Sequence, residues 1–218
     1  MIDERITDLK RKIVEFGLFI EKMIDESITG LLKKEEEKLK QVIENLEEKA
    51  NSFEIEIEEL CVETIAQFEP KAKNLRTILM ILKINNDLER IGDHAVNICE
   101  SSLFLIKRPD VKPLIDIPRM ANEAIKMLKD SINSFINEDA DLARNVCQRD
   151  DIVDNLRDQI IRELITYMIS DPNTIERSLE LIRITQNLER VADLSTNISE
   201  DVIFITQGKI IKHHIEEK

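Results

Sequence analysis

The chain has 218 residues, of which 42% are hydrophobic and 34% charged, and its formal net charge is −13 at pH 7. This composition can bury a sizeable core, but the acidic balance argues against a nucleic-acid partner, which would need clustered Lys and Arg. It favours cations or basic protein surfaces as partners. Four Gly, five Pro, one Tyr and no Trp indicate helices rather than strands.

Nothing in the sequence indicates export or membrane insertion. The first twelve residues, MIDERITDLKRK, are charged and amphipathic, and no run approaches about 18 uninterrupted apolar residues. The three cysteines, Cys61, Cys99 and Cys147, form no CxxC pair and lie in apolar helical patterns. We therefore expect a cytoplasmic protein with reduced, buried thiols.

The first half of the chain carries three long helical patterns. Apolar residues at alternating spacings of three and four predict a first helix over residues 6–23. A second pattern runs over 42–68 and ends at Glu69-Pro70, because the residue before a proline is excluded from the helical region. A third runs over 81–105, until Pro109 and Pro113. The short connection at Pro70 predicts antiparallel neighbours.

The second half repeats this plan. Helices are predicted over 121–135, 146–167 and 181–205, with ends at residues 137–139, before Pro172 and at Gly208. The proline-rich segment 108–118 separates the two halves. The predicted fold is all-α, with two tandem repeated three-helix bundles over residues 1–108 and 116–218 and a pseudo-two-fold duplication. One continuous six-helix bundle is the alternative.

A polar motif on the third helix recurs on the sixth. Residues 86–100 read NDLERIGDHAVNICE, and residues 187–200 read NLERVADLSTNISE. Four polar positions recur exactly 100 residues apart; they are Glu89 and Glu189, Asp93 and Asp193, Asn97 and Asn197, and Glu100 and Glu200. A repeat of this length is a whole supersecondary unit, which supports the duplication.

The repeated acids are expected to face outward. If Leu88 and Ile91 face the core, an advance of about 100° per residue places Glu89, Asp93 and their repeats on the opposite stripe. Like charges at i,i+4 destabilise a helix by a few tenths of a kcal/mol, so the pair calls for a neutralising partner. An ordinary solvated acidic face, with Asp93 paired to Arg90, is the simpler interpretation.

Each acidic pair also has a counterpart on the preceding helix. In an antiparallel hairpin, residues equidistant from the turn are neighbours, so Glu47 should lie beside Asp93 and Asn51 beside Glu89. Asp150 and Asp154 repeat this arrangement in the second half. Carboxylate oxygens suit hard cations such as Mg²⁺, Mn²⁺, Ca²⁺ or iron. We expect the second cluster to bind metal better, because Asn51 stands where the other half has an acid.

The sequence thus predicts one metal cluster on each half. The candidate ligands are Glu47, Asn51, Glu89 and Asp93 in the first half and Asp150, Asp154, Glu189 and Asp193 in the second, with Asn97, Glu100, Asn197 and Glu200 as additional ligands. A helical scaffold whose acids dock a basic partner without metal is the main alternative. A ferritin-like di-metal oxidase is disfavoured, because it needs Glu-x-x-His pairs inside a bundle, whereas His94 is expected to be a solvated surface residue.

The two LER-x-x-D segments and the acidic pairs on the preceding helices resemble the PhoU family of phosphate-uptake regulators over essentially the whole chain. The family's E(D)xxxD motif appears as Glu89–Asp93, Glu189–Asp193 and Asp150–Asp154, and in altered form as Glu47–Asn51. The resemblance implies a six-helix protein with iron or other multinuclear metal clusters on its surface.

The same resemblance implies a regulator without enzymatic activity. Such a protein would link the Pst phosphate transporter, an ABC importer, to a PhoR-type sensor kinase, and would restrain uptake and the starvation response when phosphate is plentiful. It would be cytoplasmic and would reach the inner membrane only through its protein partners. The sequence leaves open whether aromatic residues of the first helix fill the core or form a homodimer surface.

Overall fold

A computed structural model of the chain describes residues 2–207. The first half consists of α1 (Ile2–Lys33), α2 (Glu36–Gln41), a π-helical turn (Val42–Leu46), α3 (Glu47–Phe68) and α4 (Lys73–Leu105). The second half consists of α5 (Asp116–Asn137), α6 (Ala140–Ser170), a 3-10 turn (Pro172–Thr174) and α7 (Ile175–Gln207). Because α2, the π turn and α3 follow without a break, the six predicted long helices are confirmed. The predicted helix end at Gly208, like His213 and His214, lies outside the described residues.

The helix ends follow from local sequence. Glu69, before Pro70, takes a left-handed conformation (φ 44°) and ends α3, and Glu138 (φ 53°) ends α5 in the same way. The carboxylate of Asp139 then accepts hydrogen bonds from the backbone N–H groups of Asp141 and Leu142, both at 3.0 Å, and caps α6. These sharp ends make short hairpins of α3 with α4 and of α5 with α6.

Each half is a three-helix unit, and the two units share one core. In the first, α1 packs against α3 and α4; in the second, α5 and α6 pack against α7. The units meet along α4 and α7 and along α1 and α5, and one hydrophobic cluster runs through both. Gly17 of α1 allows the close approach of α5, because a Cβ at this position would collide with Ile132 Cδ1.

The break between the units spans residues 106–115, so Pro118 lies inside the first turn of α5. This linker is held on both sides. Lys112 is buried and pairs with Glu163 of α6, and the backbone carbonyl of Pro109 accepts a hydrogen bond from Arg177 Nη1 of α7 at 2.6 Å. The proline-rich segment is therefore part of the packed structure.

Aromatic residues of α1 lie mainly inside the first unit. Phe16 stacks on Phe53 of α3 with ring centroids 5.3 Å apart, and Phe19 lies 5.5 Å from the same ring. Phe16 is fully buried, whereas Leu18 is exposed. These two phenylalanines stabilise the core of the unit.

Candidate functional site

The α3–α4 hairpin brings the first pair of acidic motifs onto neighbouring helices. The side-chain Nδ2 of Asn85 on α4 donates a hydrogen bond to the backbone carbonyl of Glu54 on α3 at 2.9 Å. Small residues let the helices approach, since a Cβ built on Gly92 would lie 3.8 Å from Ala50 Cβ. In this register Glu54 and Glu47 of α3 lie close enough to Glu89 of α4 to raise its pKa.

Glu89 is the centre of the first acidic cluster. Burial raises its pKa, and so do the nearby carboxylates of Asp93, Glu54 and Glu47, while Arg90 lowers it. The Arg90 guanidinium is directed to Asp87, at 3.5 Å, rather than to Asp93. Three neighbouring carboxylates therefore raise the pKa of Glu89.

Glu189 is the centre of the second cluster, and two arginines accompany it. Arg157 Nη1 lies 2.9 Å from Glu189 Oε1 and 3.0 Å from Asp154 Oδ1. Arg190 Nη1 lies 2.8 Å from Asp193 Oδ2. Burial, followed by Asp193, raises the pKa of Glu189, whereas Arg190 and Arg157 lower it.

The acids differ in how far they face solvent. Leu88 and Ile91 are fully buried and Asp93 is exposed, as the stripe predicts. The Glu189 side chain, however, is only 15% exposed, so this carboxylate lies in a largely covered position, contrary to the expectation that it faces outward. The reason is the packing of α6 along α7, which brings Arg157 onto it.

Two charged residues of these clusters were missed in the sequence analysis. Glu54 lies one turn after Asn51 on α3, and Arg157 lies one turn after Asp154 on α6. A signal for both existed, because each residue follows its acidic motif at the spacing of three that keeps side chains on one helix face. A pattern made only of carboxylate pairs at i,i+4 does not include that spacing.

The four additional ligands predicted from the sequence line two clefts between α4 and α7. Asn197 and Glu200 face Asn86 and Asp87 in a cleft of about 460 Å³. Asn97 and Glu100 line its counterpart of about 420 Å³, together with Arg183 and Asn187. Glu200 and Asp150 both act on the pKa of Cys147, which places them near this residue of α6. None of the eight main candidate ligands lines either cleft, so these four residues lie between the two halves and apart from the clusters they were predicted to join.

Charged and polar contacts across the clefts join the two halves. Lys83 Nζ of α4 lies 3.0 Å from both carboxylate oxygens of Asp201 on α7. Burial, together with Asp201, raises the pKa of Asp87 to about 6, although Arg90 and Lys83 oppose the shift. The sequence pattern did not single out Asp87 as an unusual acid.

His94 occupies a different environment from the one predicted. Its Nδ1 shares a hydrogen bond of 2.8 Å with Asn187 Oδ1 on α7, and burial lowers its pKa. The expectation of a solvated surface histidine is therefore wrong, because α7 covers this side of α4. His94 joins the two units of the fold.

The described residues offer little for thiol chemistry and no ready-made metal site. Within residues 2–207, the two acidic clusters included, no three His, Cys, Asp or Glu side chains are arranged to hold a metal ion. Burial raises the pKa of Cys61, Cys99 and Cys147 to about 12, so the three thiols stay protonated. None of the described helices combines the length and apolarity needed to cross a bilayer.

Comparisons with known proteins agree with the duplicated fold. The PhoU domain family model matches residues 4–102 and again residues 117–202. The phosphate-specific transport system accessory protein PhoU homolog of Aquifex aeolicus is 37% identical over 216 residues, which cover 99% of this chain and 97% of the relative. Its counterpart in Escherichia coli K12 is 30% identical over 208 residues, which cover 95% of this chain and 86% of the relative.

A solved structure shows the same architecture. The crystal structure of PhoU from Pseudomonas aeruginosa superimposes with a TM-score of 0.91 at 31% identity, and the match covers 96% of this chain and all of that one. The phosphate transport system regulatory protein PhoU from Streptococcus pneumoniae, at 23% identity and a TM-score of 0.88, has the same fold.

Proposed function

Because the chain belongs to the PhoU family, we propose that it is an accessory regulator of phosphate import that acts by binding other proteins. The observation that carries this proposal is the extent of the match: both halves fit the PhoU domain, and relatives named as phosphate-specific transport system accessory proteins match along nearly the whole chain. A whole-length match supports a shared role better than a shared domain would.

In its finer form, the proposal is that the protein couples a Pst-type ABC phosphate importer to a PhoR-type sensor kinase. A binding protein can restrain both partners by preferring one state of each, which shifts their populations without any chemical step. The net charge of −13 suits docking on basic surfaces of such partners. No enzymatic activity is part of the proposal, and the three thiols, of which Cys61 and Cys99 are buried and Cys147 is half-buried, are poor nucleophiles because of their high pKa.

We further propose that the two acidic clusters bind hard metal ions. The first half supplies oxygen donors, which hard cations prefer, from Glu47, Asn51, Glu89 and Asp93, with Glu54 beside Glu89. Because no three of the acidic side chains are arranged to hold an ion in the structure, binding requires them to turn toward a common point. In the second half the donors would be Asp150, Asp154, Glu189 and Asp193. A bound cation would neutralise the carboxylates and link each pair of antiparallel helices.

The metal-independent scaffold remains the second candidate. Its support is the pairing of Glu189, Asp154 and Asp193 with Arg157 and Arg190, which neutralises part of the acidic surface without any ion. In this case the acids would serve as docking groups for a basic partner.

Deletion of the gene tests the regulatory proposal directly. In high phosphate, the deletion should raise phosphate uptake and the expression of a phosphate-starvation reporter, and the full-length chain should restore both to wild-type values. The tagged chain should also recover the phosphate transporter from solubilised membranes. Unchanged uptake and reporter expression in the deletion strain would refute the proposal.

Metal analysis separates the two candidates. Protein purified without chelator should contain Mn, Fe or Mg, and its melting temperature should fall after EDTA and recover when the ion is added back. A protein without metal, whose melting temperature does not respond to these ions, would favour the scaffold.

A further inference from the structure

A partly open cavity of about 170 Å³ lies under the linker, where the two units meet. Its walls come from the ends of α1 and α4, from α7 and from the linker itself, and include Leu31, Leu105 and Leu181. These three leucines are at most 8% exposed. Apolar cavities of about 150 Å³ stay dry and bind benzene-sized molecules. The space is therefore large enough for one six-membered ring.

The charged residues that line the cavity already have partners. At its exposed rim, Lys34 Nζ lies 3.0 Å from Asp110 Oδ1. The buried Lys112 pairs with Glu163 of α6. An ionised ligand would have to displace one of these carboxylates or lie unpaired against apolar walls, which is unfavourable. The lining therefore favours an uncharged ligand.

The second unit has a phenylalanine at the position that Leu31 occupies in the first. At the end of α1, Lys34 is left-handed (φ 55°), and its backbone N–H donates to the carbonyl of Leu31 at 3.3 Å. At the end of α5, Glu138 (φ 53°) donates to the carbonyl of Phe135 at the same distance. Phe135 is thus the structural counterpart of Leu31.

The space around Phe135 is nearly closed. Only about 10 Å³ remains there. Residues 205 and 206 line this space, as their repeat positions 105 and 106 line the larger cavity. The second unit therefore places an aromatic ring of its own where the first unit has a smaller side chain and an open space.

From the volume, the lining and the filled counterpart, we propose that the cavity under the linker binds one small aromatic molecule, with a ring of phenyl size and no ionised group. A bound ring would contact α1, α4, α7 and the linker together, and would so stabilise the arrangement of the two units. The site goes beyond the proposed function, because it involves neither the acidic clusters nor a protein partner. It would give the regulator a small-molecule input.

Fluorobenzene is the probe for this site in the full chain. Fluorine NMR should show saturable broadening of the probe signal by the wild type, and toluene should displace the probe. A ligand that binds only the folded protein should also raise its melting temperature. Benzoate should displace the probe much less than toluene does, because both lysines of the cavity are paired.

Variants that fill the cavity provide the structural test. Leu31→Phe should weaken binding of the probe, and Leu31→Trp, with a larger ring, should remove it. Val111→Phe fills the same space from the linker, should a large side chain at residue 31 prevent folding. Leu18 of α1 is 55% exposed, so Leu18→Trp is the matched control and should leave binding unchanged. Circular dichroism melts of every variant establish that the fold is intact.

Several results would overturn the proposal. Absence of saturable fluorobenzene binding, or binding that Leu31→Trp and Val111→Phe both leave unchanged, would exclude the site. Tighter binding of benzoate than of toluene would exclude an uncharged ligand. Binding of N-acetylphenylalanine amide without binding of toluene would replace the small molecule by a side chain of a partner protein. The regulatory role is tested separately by the gene deletion and stands or falls without this site.

Discussion

Replacement of Asp87 by Asn should stabilise the protein at neutral pH. The Asp87 side chain is only 14% exposed, and burial is the main reason why its pKa rises from 3.8 to about 6. Between pH 3.8 and about pH 6, the Asp87 carboxyl is therefore mostly protonated in the folded protein but ionised in the unfolded chain. The charged form of this carboxylate is a net cost to the folded state above about pH 6.

The sign and size of the effect follow from proton linkage. Between about pH 4 and 6 the folded state binds more protons than the unfolded state, so the free energy of unfolding falls as the pH rises. One pKa unit corresponds to about 1.4 kcal/mol. The rise in the pKa of Asp87 from 3.8 to about 6 therefore lowers the free energy of unfolding by roughly 3 kcal/mol at most. Asp87→Asn removes this titration, so the variant should exceed the wild type by up to about 3 kcal/mol at pH 7 and match it below pH 4.

Urea unfolding followed by circular dichroism, from pH 3.5 to 7.5, measures this difference. Asn187 occupies the repeat position of Asp87, 100 residues later, which shows that the fold accepts the amide there. Asp151→Asn, at an exposed carboxylate of α6, is the matched control and should leave the pH dependence as it is in the wild type. Parallel profiles for Asp87→Asn and wild type would refute the assignment of the shift to Asp87.

Three further outcomes are expected. Gly17→Val should lower the free energy of unfolding by about 1–3 kcal/mol, because the new side chain would overlap Ile132 across the two units; an unchanged urea midpoint would contradict that contact. His94→Leu should cost about 1 kcal/mol at pH 7.5 through the lost hydrogen bond to Asn187. The cost should shrink at pH 5, because burial lowers the pKa of His94 and the wild type loses stability as the unfolded chain protonates; a constant difference between the two pH values would argue against it. Ellman's reagent should react slowly with the native thiols, whose pKa is about 12, and quickly with all three in guanidinium chloride; rapid reaction of the native protein would count against their burial.

The sequence by itself determined the helices, their hairpins and the position of the acidic motifs. Apolar spacing along each segment encodes which face is buried, as Leu88 and Ile91 show, and the prolines at 70 and 172 end helices through local backbone sterics. These features depend on residues within a few positions of one another. The duplication was visible for the same reason, since it repeats such local patterns.

Only the tertiary structure decided which charges meet. Arg157 reaches Glu189 across 32 positions, and His94 reaches Asn187 across 93. The burial that raises the pKa of Asp87 likewise depends on the packing of α4 against α7. Neighbours of this kind are brought together by the packing of whole helices. The apolar periodicity of one helix does not predict which side chains of another helix will contact it. The acids could therefore be predicted from the sequence, but not the contact of Arg157 with Glu189 on the neighbouring helix.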